Sequence, residues 1–198
     1  MAFLDLVTLA TVRELRGWSV DATQDGILSD MISGVSARFE GELGGRLLSL
    51  EARTIQLDVE PNQRELSLPA WPVAASPAAQ FRTSADRDFS GAVIATSDYY
   101  LQESQGRVSF DVGLDRGRGT LQVIFTGGIA ATAADVETNY PDISDAIRKQ
   151  VVYEFERKDN LGQSSNTVGQ VSRAWTGVVD WLPEVVGVIN HYRRLVFA

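Results

Sequence analysis

The apolar residues of this chain keep two different periods, and the switch between them restricts the fold more than any other feature. In the stretch 139–160 (NYPDISDAIRKQVVYEFERKDN), Ile143, Ala146, Ile147, Val151 and Phe155 recur every three or four residues, the spacing of one helix face. Asp142, Asp145, Arg148, Lys149, Glu156 and Arg157 cover much of the remaining circumference. From Arg46 to Gly128 the pattern turns to alternation, in short runs broken by Gly, Pro, Asp and Ser, as strands require. Helical runs on both sides of an alternating middle predict an α+β fold. It is a small bundle of about four helices, with a central antiparallel β region inserted between the second and third.

Local signals place the pieces. Pro141 suits the first position of a helix, where its missing N–H costs nothing, and Arg157 and Lys158 suit the last turn. Thr8 can cap a helix over Leu9 to Arg16 that Gly17 ends. Asp21 and Gln24 resemble a capping box for a second helix, whose stripe is Leu28, Met31, Ile32, Val35 and Phe39 and whose end is Gly44-Gly45. Gly34 and Gly41 each cost that helix about 1 kcal/mol relative to Ala, which points to close helix contact.

Strand-like runs follow at Leu48 to Val59, Ala79 to Thr83, Asp98 to Gln102, Arg107 to Phe110 and Thr120 to Phe125, with Leu66 to Val73 an extended piece containing two prolines. Ser84 to Ser90 and Gly113 to Gly119 read as exposed loops, and Gly162 to Gln170 as a flexible one. Pro183 opens a last helix carrying Val185, Val188, Ile189 and Tyr192 on one side. We read residues 1–198 as a single domain: N-terminal helices 1–45, β region 46–128, core helix 136–160, C-terminal helix 174–193 and a tail 194–198.

The composition excludes most chemistry. The chain has no cysteine, so there is no disulfide framework, thiolate nucleophile or cysteine metal site. Its single histidine, His191, cannot furnish a multi-histidine metal site. Ser164-Ser165 lacks a nucleophile elbow and a histidine partner. The glycine-rich GLDRGRG lacks the Lys-Ser/Thr ending of a phosphate loop. Asp135, Glu137, Asp142 and Asp145 form the densest acidic cluster, and at a helix start they serve the dipole better than a metal. No catalytic residue, cofactor or metal is expected, and the chain is not read as an enzyme. With 18 basic and 26 acidic residues the net charge is −8, which opposes a nucleic-acid clamp and suits a surface past which DNA slides. MAFLDLVTLA has an acid where a signal peptide needs a basic region, and no apolar run nears the roughly 20 residues that span a bilayer. A soluble, unsecreted protein without membrane contact is expected.

Two features point to contact rather than catalysis. Ile143, Ile147, Val151, Phe155, Trp175 and Trp181 are candidates for core or inter-subunit packing, and the chain finishes RRLVFA, an apolar end preceded by two arginines. Tryptophan, tyrosine and arginine dominate buried interface anchors.

The order of the pieces resembles the head–tail connector proteins, also called adaptor or head-completion proteins, of tailed phages and phage-like particles. The resemblance rests on TLATVRELRG with a second helix (SDMISGVSARFEGELG), on LSLPAWPV, on DYYLQESQGRVSF leading to LQVIFTGGIA, on YPDISDAIRKQVVYEFERKD, and on LPEVVGVINHYRR. Here the β region is longer than in the smallest members, and the small-Gly step is Thr126-Gly127-Gly128 instead of the commoner Ala-Gly. The resemblance implies a structural virion protein, made in the host cytoplasm, that forms an adaptor ring, expected twelvefold, between the portal ring and a stopper or tail-terminator protein. Double-stranded DNA would pass its channel without specific binding. Tyr192, Arg193, Arg194, Leu195, Val196 and Phe197 become the portal-contacting residues. The alternatives are a stopper or tail-completion protein of the same neck, and a non-viral β-rich interaction module.

Overall fold

Helices and strands segregate along the chain in the computed structural model, which describes residues 3–16, 22–158, 165–168, 171–174 and 181–193. They form two compact units, one from Met1–Gly44 with Thr132–Ala198, the other from Gly45–Ala131. The fold is α+β, with the β region inserted between the second and third helices.

The helical unit comprises α1 (Leu9–Arg16), α2 (Asp25–Glu42), α3 (Ala133–Asn139), α4 (Pro141–Arg157) and α5 (Pro183–Tyr192), with a hairpin of β7 (Ser165–Val168) and β8 (Val171–Ala174) between the last two helices. Its organising element is α4, which touches all four other helices. Its stripe explains why: Ile143, Ala146, Ile147, Val151 and Phe155 are all buried, and α2 answers with Leu28, Ile32, Val35 and Phe39. Each of these Val, Leu, Ile and Phe side chains contributes roughly 1.5–3 kcal/mol by leaving water, and Ala146 less.

The helix ends show what the sequence marks and what it hides. Thr8 caps α1 through its hydroxyl, which accepts the Thr11 N–H at 3.3 Å. The residues read as one core helix, 136–160, are two, because Pro141 opens α4 and the chain turns at Tyr140 (φ −135°, ψ 60°). Before that break α3 starts with a capping box, Thr132 and Asp135 each bonding the other's backbone N–H. The second helix begins at Asp25 after a 3₁₀ turn over Ala22–Gln24, and the Gln24 side chain makes no cap bond. The anticipated partner Asp21 lies outside the described residues, as do Gly17 and Trp18. A Cβ on Gly34 or Gly41 would meet open space, so close helix contact is not what holds those glycines. The C-terminal helix is shorter than 174–193, and part of the polar stretch 162–170 is the strand β7.

In the β unit, β1 (Glu51–Val59), β6 (Gly117–Gly127) and β3 (Gln80–Thr83) form one antiparallel sheet in the order β1-β6-β3. A second sheet has the order β2-β5-β4, from Glu65–Ser67, Arg107–Phe110 and Tyr99–Gln102. Alternation puts Leu121, Val123 and Phe125 of β6 on the inner side of the first sheet, where they join Phe81, Val108 and Phe110 in one core. Phe81 meets Phe110 edge-on at 5.2 Å and Tyr99 at 4.7 Å, joining the two sheets through aromatic rings.

Glycines complete this unit where backbone crowds backbone. Gly128 has φ 134°, and a Cβ there would lie 2.3 Å from the Ser49 carbonyl oxygen; at Gly127 it would lie 2.7 Å from that of Ala70. The segment read as the loop Gly113 to Gly119 enters β6 at Gly117, opposite a register shift between Leu57 and Val59 of β1.

Candidate functional site

Among the described residues, those expected to make contacts converge on α4 and α5. Gln150 is the pivot, a wholly buried amide on the apolar stripe of α4. Its oxygen accepts the Leu182 N–H at 3.0 Å, satisfying a backbone donor at the entrance to α5. Its nitrogen donates to Glu154 at 2.8 Å, and Glu154 accepts from Arg38 of α2 at 2.9 Å. The Arg38 guanidinium also lies 4.5 Å from the centre of the Trp181 ring, which packs edge-on against Phe39 at 6.4 Å. One chain of contacts therefore joins α2, α4 and the start of α5, and Trp181 is a packing residue of the helical unit.

The far end of α5 has its own anchor. The Tyr192 hydroxyl donates to Asp142 at 3.2 Å, and its ring meets Tyr140 at 6.3 Å. Val185 and Ile189 are buried between the two anchors, so α5 runs antiparallel along α4. Arg193 follows as an exposed residue whose N–H bonds the Ile189 carbonyl at 2.7 Å. His191 is exposed and stacks edge-on with Tyr192. Ile143, Ile147, Val151 and Phe155 are buried in the same unit. Trp175, Arg194, Leu195, Val196 and Phe197 lie outside the described residues.

The acidic cluster is distributed among separate tasks. Glu137 accepts the Thr8 N–H and the Thr11 hydroxyl, both at 2.7 Å, and so caps α1 from α3 instead of serving its own helix. Burial pushes its carboxyl up, but these bonds and the nearby Arg148 outweigh that and hold it below the ordinary value. Asp145 is also held low, first by Lys149 and then by Arg148, while Lys149 is raised by the same contact. Asp135 belongs to the capping box and Asp142 to Tyr192. Among the described residues no group of three acidic or histidine side chains is placed to hold a metal. Within the loop 84–90, Asp88 accepts from Ser90 and Ser84, which lower its pKa, so that loop is closed on itself.

Sequence reasoning missed Gln150, Glu154 and Arg38, and it placed Glu137 in an acidic cluster without its role at α1. Gln150 had a signal, since it falls seven residues after Ile143 on the apolar stripe. Glu137 had none, because its partners lie 129 and 126 positions away.

The class these features define is an α+β protein whose helices, drawn from both ends of the chain, flank a small β insertion. No family model and no curated protein matches the chain. Solved structures do match. A chain in the neck of the empty gene transfer agent (GTA) particle, computed with C6 symmetry, aligns with a TM-score of 0.62 at 16% identity over 98% of this chain and 92% of that chain. One in the neck of the native particle, computed with C12 symmetry, gives 0.53 at 17% over 98% and 91%. One in the virion of the native particle gives 0.63 at 16% over 98% and 92%. The shared feature is the fold, along nearly the whole length of both chains.

Proposed function

We propose that this chain is a structural subunit of the neck of a phage-like particle, and within it the adaptor ring between the portal and the stopper or tail. The observation that carries this reading is the end-to-end fold likeness to chains from necks computed with C6 and C12 symmetry. Ring closure needs two different, complementary patches on each subunit. The twelvefold number expected from the sequence resemblance suits the C12 neck.

Charge fits the DNA path. The helical unit holds 10 basic and 16 acidic residues, the β unit 8 and 10, so the acidity is concentrated in the helices. An acidic channel wall repels phosphate and lets double-stranded DNA pass without specific binding. No helix among the described residues is long and apolar enough to cross a membrane.

In this reading the portal contact follows α5. Tyr192 fixes the end of the helix to Asp142, Arg193 is exposed beside it, and Arg193, Arg194, Leu195, Val196 and Phe197 supply the portal contact together with Tyr192. Co-expression of the full chain with the portal protein of the same particle tests this, with mass and electron microscopy as readouts. A ring of this chain on the portal is expected, and deletion of Leu195 to Ala198 abolishes it while leaving a folded subunit. A ring that binds the tail component but not portal assigns the stopper position instead. A chain that joins neither ends the neck reading.

A further inference from the structure

The hairpin of β7 and β8 stands by itself. Among the described residues its strands pair only with each other, in the register Ser165↔Ala174 to Val168↔Val171, and belong to neither sheet of the β unit. A lone two-stranded hairpin is marginal in water and gains stability from a third strand or a packed face. Natural edges are usually blunted by charge or proline, yet β7 contains neither, and Arg173 of β8 is the one charged residue of the hairpin. The hairpin is thus a strand-pairing surface with little to discourage pairing.

The matching edge lies in the β unit. In the order β1-β6-β3, β1 is an outer strand, nine residues long, and among the described residues no main-chain group pairs with its outer edge between Glu51 and Val59. Its register shift falls between Leu57 and Val59, which leaves 51–57 regular. Ala52, Thr54 and Gln56 form an exposed uncharged face there, with the exposed charges Glu51 at its start and Asp58 beyond its end. The regular run accommodates a four-residue strand with room to spare.

We propose that in the assembled ring the β7–β8 hairpin of one copy adds to the free edge of β1 of the next copy, so that a strand ladder links neighbouring subunits. This rests on the ring reading above and gives it the two unlike patches that a closed heterologous ring requires. Main-chain pairing supplies affinity without demanding particular side chains.

The chain has no cysteine, which makes cross-linking clean. Cysteine at Thr54 or Gln56 is combined with cysteine at each position of 165–168 in turn, in the full chain co-expressed with portal. Paired strands bring Cα atoms within about 4.5–5.5 Å, inside disulfide range. Oxidation then yields a ladder of covalent multimers up to ring size. In the unsubstituted protein, amide exchange across 52–56 slows at least tenfold on ring formation. Rings that form with neither the ladder nor the protection overturn the pairing and leave the neck reading standing. A disulfide confined within single chains overturns it as well, by showing that the hairpin serves its own β1. Failure of any ring-sized species to form overturns both.

Discussion

The helical unit and the β unit solve the folding problem in opposite ways. The β unit is one unbroken segment, 45–131, whose core is apolar and aromatic and whose tightest points are glycines pressed against backbone. The helical unit joins two segments separated by that insertion and fastens them with polar contacts of long reach, such as Glu137 to Thr8 and Glu154 to Arg38. A continuous segment can be held by shape alone. A discontinuous one needs bonds that specify which distant pieces meet.

The sharpest way to break this contrast is Gly128→Ala. Its Cβ would collide with the Ser49 carbonyl at a φ that L-residues rarely adopt, and a stability loss of about 3 kcal/mol or more is expected. Denaturant titration of the full chain reads it, and a variant within about 1 kcal/mol of the parent would show that shape does not govern the β unit.

The helical unit makes a smaller, pH-dependent prediction. Glu137→Gln keeps the size of the side chain but removes the charge that receives two hydrogen bonds, and about 1 kcal/mol is expected after solvent screening. Because the folded carboxyl is held below its ordinary value, its contribution is complete above about pH 5 and is lost as pH falls through the folded pKa. The gap between parent and variant should therefore close in acid, and a gap unchanged between neutral pH and about pH 3 would count against the charge.

The smallest effect has the opposite sign. Gly34→Ala on α2 meets open space and should stabilise by about 0.5–1 kcal/mol in thermal melts. A loss there would show that the space beside Gly34 is not open in the folded chain.

How much of this was legible follows the same division. The stripes of α2 and α4, Thr8 as a cap, Pro141 as a start and the alternation of β6 are local patterns, and the structure has each of them. The short helix α3 was hidden because only Val136 of its residues is buried, although Thr132 and Asp135 carried its capping signal. The strand β7 was hidden because Ser165, Asn166 and Thr167 offer no apolar alternation, and pairing there is decided by backbone. The glycines at 127 and 128 were visible as a step, but their necessity comes from Ala70 and Ser49, dozens of positions earlier. The candidate contact residues were legible as residue types only. That Trp181 stacks with Arg38 is a property of helices brought together across an insertion, and that Tyr192 reaches Asp142 comes from α5 folding back along α4.

Because α5 is riveted to α4 at both ends, by Gln150 at its entrance and Asp142 at its exit, it behaves mechanically as a splint. A pull on the chain beyond Arg193 is delivered first to the Tyr192 rivet, then to the buried Val185 and Ile189, and last to Gln150.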